Sequence, residues 1–576
     1  MPVLAAPRFL IKAPPKMLED GRSILPADVA SLYPDERAAV HGDASLPEWF
    51  IHTPRAEAIQ EEHPWDAAHA VARTLVSNAL ASGAAEAAVR LYVEPDLIHR
   101  RYVQVVDQLR KPLTDGAAWP ASAGLNPDYP PTVNDHFSLA WHLERGRFPE
   151  AWPVTRGAGV RIAHLDTGYF PAHKSTPTRM YPEQGRNYFE GDPNDVTDPG
   201  NELNAGHGTA TLALLAGKEV DLQYAPLSNG PTYNYHGTIG GAPDADIVPV
   251  RIGGIRGSVV HLYSSSMAKG LHHALGEPGR APCDVVSLSH GGIPTKVWVD
   301  QVNRLYEAGI VLAAASGDNF YAVLLDIASH FTVYPSAWYR VITVTGESFA
   351  HGPYTTDHFG VMQGSWGPLK VMKKAVGAYT PNVPWMRLGN PTAWEMDGGG
   401  TSASTPQVAA ACALWLSKYG GSLARDWRRV AACRAALFES VTDAELNVEK
   451  IGLGALDARA MLDAARSQQL VADAQLSQPL LLRPIDPDRC SWPLFRYLFG
   501  LPPPGTGSEE MMEVEALQLA YRSRNPRLQQ VMEDYPEGVG MPAGVVKDLR
   551  SDFLNEPDMS RTLRRYLQQH LKTATP

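Results

Sequence analysis

Short apolar segments alternate with helical segments along the middle of the chain, and this alternation restricts the fold more than any other feature. Strands separated by helices in this way predict a parallel sheet that is covered on both faces. We therefore predict an α/β fold over residues 137–468, with a doubly wound, mostly parallel sheet and helices on both faces. The predicted strands are 160–165, 247–252, 284–288, 309–314 and 341–344, and the predicted helices are 264–275 and 406–417.

The regions on either side have a different character. Residues 64–80 carry apolar side chains at helical spacing, and the segment 88–93 is rich in residues that favour strands. After Pro502–Gly505 the chain predicts three short helices. We divide the chain into an α+β N-terminal region (1–110), a linker (111–136), a central domain (137–468) and a C-terminal helical extension (469–576). The three helices of that extension are predicted at 512–523, 543–554 and 559–571.

Composition excludes several classes of protein. The chain has 51 Lys and Arg residues against 62 Asp and Glu, a formal charge of −11, which argues against a general nucleic-acid binder. No apolar run approaches the roughly 18 residues that span a membrane, and the N-terminus has no uninterrupted apolar segment of a secretory signal. The four Cys residues are scattered without metal-site spacing. We therefore expect no nucleic-acid or membrane partner, and a cytoplasmic location.

Three short motifs place an Asp, a His and a Ser in Gly-rich surroundings. Asp166 ends a predicted strand in AHLDTG, His207 opens an apolar helix in GHGT, and Ser402 lies in GTSASTP before another apolar helix. A His near neutral pH takes the proton of a weakly nucleophilic Ser, and a buried carboxylate fixes the His tautomer. The set is sufficient for acyl transfer, although each motif alone is more often a turn or a helix cap.

Taken together, the three motifs resemble those of the subtilisin-like serine proteases, the subtilase family. Several further segments are similar to segments of that family: 240–250 (GGAPDADIVPV), 285–292 (VVSLSHGG), 334–336 (YPS) and 452–457 (GLGALD). The resemblance covers about residues 137–468 and implies a serine endopeptidase that acts on protein or peptide substrates. It also implies that Ser402 attacks the scissile carbonyl, that His207 is general base and then general acid, and that Asp166 orients His207.

The expected oxyanion hole departs from the family pattern. The resemblance assigns one donor to the backbone amide of Ser402 and a second to an Asn, but a gap-free reading of 313–319 (AAASGDN) puts Asp318 at the Asn position and Asn319 one place later. An ionised Asp would repel the oxyanion, and losing one donor costs ~2.7–4 kcal/mol. Three alternatives stay open: Asn319 supplies the amide, a protonated Asp318 donates, or the enzyme is slow.

The resemblance also assigns a substrate cleft, whose two walls would pair with an extended peptide as an added strand. His290 stands where the family often has a small apolar residue such as Leu. It either favours acidic or polar substrate side chains or faces solvent at the rim. The residues of the two walls are Ser287, Leu288, Ser289, His290 and Gly291 on one side, and Ala314, Ala315, Ser316 and Gly317 on the other.

The flanking regions leave alternatives open. Residues 92–96 (YVEPD) resemble the last strand of subtilase prodomains, which inhibit by lying in the cleft, but so short a match also arises by chance. The C-terminal helices either bind a regulatory partner or pack on the catalytic core. We expect no cofactor. No Asp-rich loop has the EF-hand spacing of a calcium site, but members of the family often bind structural calcium, so a calcium site stays open.

Two functions are compatible with these features. The first is an intracellular regulatory serine endopeptidase. The alternative is a catalytically weak protein of the subtilase fold that binds peptides or partners. Asp318 favours the alternative, and the complete set of Asp166, His207 and Ser402 counts against it.

Overall fold

The structure of the protein is a computed structural model. It describes residues 7–13, 25, 29–33, 48–54, 61, 63–102, 132–133, 136–200, 206–225, 232–256, 259–320, 331–349, 351–354, 362–442, 447–476, 496, 498–501, 504–523, 525–535 and 541–573. The predicted linker at 111–136 lies almost wholly outside these residues. The side chain of Asn319 also lies outside the description.

The N-terminal region forms an antiparallel sheet packed against a long helix. The strand order is β2-β3-β1-β4. The predicted helix is confirmed, but the predicted strand at 88–93 is wrong over its first half, because the Ala-rich stretch 84–88 favours a second helix. The elements are β1 (Phe9–Ala13), β2 (Val29–Ser31), β3 (Glu48–His52), α1 (Pro64–Ala81), α2 (Ala85–Val89), β4 (Tyr92–Pro95) and β5 (Ile98–Tyr102).

The central domain is built on a seven-stranded sheet in which every pairing is parallel, in the order β20-β18-β16-β15-β8-β12-β9. The predicted α/β fold is confirmed. The elements from 132 to 320 are β6 (Thr132–Val133), β7 (His136–Phe137), α3 (Trp141–Arg145), α4 (Phe148–Ala151), β8 (Arg161–Asp166), β9 (Arg186–Asn187), α5 (His207–Ala216), β10 (Glu219–Tyr224), β11 (Tyr233–Thr238), β12 (Asp246–Arg251), β13 (Gly253–Arg256), β14 (Val259–Tyr263), α6 (Ser264–His273), β15 (Val285–Leu288), α7 (Lys296–Glu307), β16 (Val311–Ala315) and β17 (Asp318–Phe320).

The second half of the domain completes the sheet and adds the helix that carries Ser402. Its elements are β18 (Ile342–Glu347), β19 (Met362–Gly364), α8 (Leu369–Met372), β20 (Ala375–Tyr379), β21 (Val383–Met386), β22 (Trp394–Gly398), α9 (Thr401–Tyr419), α10 (Trp427–Phe438), α11 (Ala458–Met461) and α12 (Ala464–Gln475), with short 3-10 helices at Pro182–Gln184 and Gly420–Ser422.

Helices cover both faces of the sheet, as the apolar strands require. Side chains alternate along each strand. Ile162 and Val285 lie in one apolar core with α5 and α9, whereas Ala163 and Val286 lie in another with α6 and α7. The carboxyl ends of the central strands β8 and β15 therefore lie between the N-termini of helices from both layers.

The C-terminal extension packs on the N-terminal region as well as on the central domain. Its helices are α13 (Gly507–Arg522), α14 (Pro526–Asp534), α15 (Ala543–Leu554) and α16 (Arg561–Thr573). Helix α13 begins five residues before its predicted start because Thr506 and Glu509 form a capping box. Gln518 on α13 accepts a hydrogen bond from Trp65 of α1 and donates one to the carbonyl of Pro294. No helix in the described part of the chain is long and apolar enough to cross a membrane.

Candidate active site

Asp166 is a buried carboxylate at the carboxyl end of β8 that accepts four hydrogen bonds. Its Oδ1 accepts from the backbone N–H of Thr167 at 2.7 Å, from His207 Nδ1 at 2.7 Å and from His290 Nε2 at 3.1 Å. Its Oδ2 accepts from the hydroxyl of Thr211 at 2.9 Å. These four hydrogen bonds hold the carboxylate in place. The bond with His207 is the contact that the Asp and His motifs predicted.

His207 is the first residue of α5 and is aimed at Asp166 by the glycines beside it. Gly206 caps the helix with φ +107°, a conformation that L side chains rarely adopt. A Cβ on Gly208 would collide with the carbonyl oxygen of Gly168. This close approach explains the GHG sequence, because only glycine lets the helix start against the turn that follows β8.

Asp166 and His207 each stabilise the charged form of the other. Burial alone would raise the pKa of Asp166, but the imidazoles of His207 and His290 outweigh it and hold the pKa of the carboxyl well below its ordinary value. Burial opposes protonation of His207, yet the charge and the hydrogen bond of Asp166 raise the pKa of this imidazole above its ordinary value, with help from Asp318 and Asp198. Asp166 is thus an anion that stabilises a protonated His207.

His290 does not face solvent at the rim of the cleft, so that alternative for His290 is wrong. Its side chain is buried, its Nε2 lies 3.1 Å from Asp166 Oδ1, and its ring lies beside that of His207 with centroids 4.9 Å apart. His164 lies two residues before Asp166 on β8, so the two side chains share a face of the strand. His164 hydrogen-bonds the hydroxyl of Thr211 at 2.9 Å.

Ser402 lies in the first turn of α9. The helix begins at Thr401, five residues before the predicted start at Pro406, because Gly400 with φ +78° turns the chain into it. The Ser402 hydroxyl donates to the carbonyl of Ser289 at 3.1 Å, and the Ser289 hydroxyl donates to the carbonyl of Ser402 at 3.0 Å. The structure thus brings Ser402 to the end of β15, with its hydroxyl bonded to Ser289 rather than to His207.

Asp318 acts as a hydrogen-bond acceptor where the family pattern expects a donor. Its Oδ1 accepts from the backbone N–H of Thr401 at 2.7 Å. A Cβ on Gly400 would lie 2.8 Å from its Oδ2. The carboxylate therefore lies against the N-terminus of the helix that carries Ser402, where the helix dipole favours a negative charge.

Some of the predicted cleft residues are interior residues of the sheet. Ser287 and Leu288 pair with β16 on one side and with β8 on the other, and Ala314 pairs with both β15 and β18. Their backbones have no free edge, so the prediction that they pair with a substrate strand is wrong. Ala315 is the last residue of β16, and Ser316 and Gly317 follow it. The backbone N–H of Gly317 donates to the hydroxyl of Thr401.

Ser289, His290 and Gly291 come directly after β15, on the Asp166 side of the sheet, and the N-terminal region lies next to this segment. Strand β5 pairs with β14 in antiparallel register. The ring of His99 fills the space beside Gly292, where a Cβ would collide with it, and its Nε2 lies 2.8 Å from the hydroxyl of Ser264.

Two carboxylates join the N-terminal region to helices of the central domain. Glu94 accepts from the backbone N–H groups of Lys296 and Val297 at the start of α7. Asp96 accepts from the backbone and the hydroxyl of Ser265 at the start of α6. Both carboxylates satisfy N–H groups that a helix start leaves unpaired.

Sequence reasoning missed several neighbours of the site. The position of Thr211 could have been predicted, because it follows His207 by four residues on a helix and so lies on the same helix face. No sequence feature places Trp385 at the site, because it lies on a hairpin far along the chain. Its ring contacts that of His207 edge to face, with the ring centroids 5.7 Å apart. Asp166, His207 and His290 also direct ligand atoms to within 4.8 Å of one another.

Comparisons with known proteins agree with this geometry. The profile of the subtilase family matches residues 157–454. An intracellular serine protease of Paenibacillus polymyxa is 26% identical over 289 residues, which cover 49% of this chain and 74% of that protein. Thermitase of Thermoactinomyces vulgaris is 25% identical over 342 residues, 59% of this chain and 99% of that enzyme. Subtilisin DY of Bacillus licheniformis is 26% identical over 268 residues, 46% of this chain and 79% of that protein.

Proposed function

Since the chain belongs to the subtilase family and is a subtilisin-like serine endopeptidase, we propose that Asp166, His207 and Ser402 form its catalytic triad. The observation that carries the proposal is the 2.7 Å contact between Asp166 Oδ1 and His207 Nδ1, beside the helix start that holds Ser402. A buried, ionised Asp that fixes the His tautomer is the arrangement that general-base catalysis by His requires.

The proposed reaction follows from these groups. The Ser402 hydroxyl leaves the carbonyl of Ser289, turns toward His207 Nε2 and attacks the scissile carbonyl as His207 takes its proton. The imidazolium is stabilised by Asp166 and then protonates the leaving amine. Water, activated by His207, hydrolyses the acyl-enzyme. Protein groups and water are sufficient for these steps, so we propose no cofactor.

We propose that Asp318 does not serve as the second oxyanion donor. Asp318 Oδ1 accepts from the backbone N–H of Thr401, at a helix N-terminus where a negative charge is stabilised. The backbone N–H of Ser402 is then the main donor to the oxyanion. Of the three alternatives that the sequence leaves open, we propose the slow enzyme with its triad in place; the side chain of Asn319, which the first alternative needs, lies outside the described residues.

We further propose that residues 1–110 act as an inhibitory prodomain-like region and that residues 137–468 are the catalytic domain. Support comes from β5, which pairs with β14 and completes the three-stranded sheet β13-β14-β5, and from Glu94 and Asp96, which cap α7 and α6. Because the ring of His99 packs against Gly292, directly after Ser289, His290 and Gly291, we propose that the N-terminal region covers one side of this segment.

A protease that is slow and covered by its own chain suits limited cleavage of a few proteins, so we propose an intracellular regulatory role. A regulatory partner would act by displacing the N-terminal region or the C-terminal helices at 504–573. Peptide mapping of a whole-proteome digest tests this role: a few dominant sites support it, and general degradation contradicts it.

The second candidate function is a weak subtilase-fold protein that binds peptides, and Asp318 favours it. Cleavage of an unfolded protein by the parent chain separates the two. The proposed triad predicts that Ser402→Ala and His207→Ala lower the rate by about 10⁴-fold or more. Equal rates for the parent chain and the Ser402→Ala variant would support the binding function instead.

A further inference from the structure

The cluster around Asp166 holds one more imidazole than peptide hydrolysis needs. His207 Nδ1 and His290 Nε2 both face Asp166 Oδ1, at 2.7 Å and 3.1 Å. The three side chains are buried, and their ligand atoms lie within 4.8 Å of one another. His290 has no step to perform in the proposed reaction, so its place at the carboxylate asks for another explanation.

We propose that Asp166, His207 and His290 form an inhibitory site for a divalent transition-metal ion, with zinc as the fitting ion. Two imidazoles and one carboxylate are ligands that Zn²⁺ favours, and a site with three protein ligands leaves one position for water. The protein would then be switched off by the metal and switched on by its removal.

Two of the three distances between the ligand atoms fit such an ion after a small adjustment, and the third, between His207 Nδ1 and His290 Nε2, is at most 4.8 Å. Zn–N and Zn–O bonds of about 2.0–2.2 Å in a tetrahedron place neighbouring ligand atoms about 3.3 Å apart. The distance of 3.1 Å between Asp166 Oδ1 and His290 Nε2 is close to that value, and the distance of 2.7 Å to His207 Nδ1 must open by about 0.6 Å. Rotation of two ring side chains supplies a movement of this size.

Hydrogen bonds on the other carboxylate oxygen of Asp166 hold this ligand in a fixed orientation, as in known metal sites. Thr211 donates to Asp166 Oδ2 at 2.9 Å, and the ring of His164 hydrogen-bonds the Thr211 hydroxyl at 2.9 Å. Hydrogen bonds of this second layer orient ligands and raise metal affinity. The carboxylate therefore keeps its orientation when the hydrogen bonds to the two imidazoles are replaced by metal bonds.

The metal would stop catalysis through His207, and this consequence rests on the proposed function. Binding needs the lone pair of Nδ1, so the neutral ring keeps its proton on Nε2. That nitrogen then has no lone pair with which to accept the proton of Ser402. Metal binding itself does not depend on the triad being active.

The test measures binding and inhibition separately. Zn²⁺ binding to the full-length Ser402→Ala chain is measured by calorimetry, and Co²⁺ binding by visible absorption. We expect one ion per chain with the absorption of a four-coordinate site, and an affinity that falls by about tenfold or more in His290→Leu and in His290→Gln. His290→Gln keeps a hydrogen-bond donor for Asp166, so a folding defect of the Leu variant leaves the test intact.

The control is His236→Ala. His236 is exposed and lies between Glu219 and Asp221, at 2.9 Å and 2.7 Å, so it reports adventitious binding by a His with two carboxylates. Equal affinity in the parent and both His290 variants, no binding at all, or loss in His236→Ala alone would overturn the proposal. Inhibition is measured as the loss of peptide hydrolysis by the parent chain, which keeps Ser402, on titration with Zn²⁺. Binding at His290 without this loss would keep the metal site and overturn its inhibitory role.

Discussion

Ser402 and Ser289 exchange a pair of hydrogen bonds, each hydroxyl donating to the carbonyl of the other residue, at 3.1 Å and 3.0 Å. Pro406 explains why the carbonyl of Ser402 is available. A proline has no N–H to donate to the carbonyl four residues earlier, so that carbonyl needs a partner from outside the helix. The same pair bonds the hydroxyl of the proposed nucleophile to Ser289, in the segment expected to pair with a substrate strand.

The first prediction concerns this pair. Ser289→Ala removes the partner of the part-buried carbonyl of Ser402 and is expected to lower the free energy of unfolding by about 1 kcal/mol. Ser287→Ala is the matched control, because the Ser287 hydroxyl is buried two residues earlier and has no hydrogen-bond partner among the described residues. Urea unfolding measures both variants. A Ser289→Ala chain as stable as Ser287→Ala would show that the exchange contributes nothing.

Replacing Asp318 by Asn should speed acylation. The Asn oxygen keeps the bond from the Thr401 N–H, and its amide adds an uncharged donor beside Gly400. We expect the acylation rate to rise by about tenfold or more, below the ~10²–10³ that a full oxyanion donor supplies. Burst kinetics with an activated peptide ester measure the rate. Asp318→Ala is the control: it removes the charge without adding a donor, and a rise as large as that of Asp318→Asn would mean that charge alone matters.

Glu94 makes the stability of the N-terminal region depend on pH. Burial raises the pKa of this carboxyl to about 7, against hydrogen bonds from Lys296 and Val297 and with a further contribution from Asp300. Because the pKa of Glu94 is raised in the folded state, its protonated form stabilises the folded chain. This contribution to the free energy of unfolding is complete below the unfolded pKa of 4.5 and is lost as the pH rises to about 7.

The parent chain should therefore lose up to about 3 kcal/mol of stability over that window relative to Glu94→Gln. Thermal unfolding of both chains from about pH 4 to pH 8 measures the difference. Glu150→Gln serves as control, since Glu150 is exposed and its pKa is lowered, and it should follow the parent. A constant difference between the parent and Glu94→Gln would contradict the prediction.

Asp66 should hold the C-terminal helices to the N-terminal region. It accepts from the backbone N–H groups of Arg561 and Thr562, the first residues of α16. Asp66→Ala is expected to destabilise this junction by about 1–2 kcal/mol. Hydrogen–deuterium exchange then rises in α16. Asp463→Ala removes a cap from α12 instead, so it should leave exchange in α16 unchanged; equal exchange in α16 for the two variants would refute the role of Asp66.

The sequence was sufficient to predict five of the seven strands of the central sheet and seven of the sixteen helices that the structure describes, because these follow from apolar runs and caps close together in the chain. The Asp166–His207 contact was expected from the chemistry of the three motifs and from the family resemblance. What it missed depends on contacts between distant segments. Nothing near His290 shows that its ring turns inward to Asp166, and nothing near Trp385 shows that its hairpin reaches His207. The start of α9 was placed too late because proline was read as a first-turn residue, whereas Gly400 sets the boundary.

The same reasoning explains the substrate residues. The resemblance identified the two segments correctly as neighbours of the site, but not where each strand stops pairing. Only the sheet register shows that Leu288 and Ala314 are paired on both sides. Register is a property of three strands at once, so a single segment cannot reveal it.

The most direct test of the proposed triad is reaction of the full-length chain with a fluorophosphonate probe, read by intact mass and peptide mapping. The account predicts a single adduct at Ser402 that is absent in Ser402→Ala and forms far more slowly in His207→Ala. The experiment is repeated after cleavage between residues 102 and 132, so that a covered site is exposed. A folded chain with no adduct at Ser402 before or after cleavage would contradict the account.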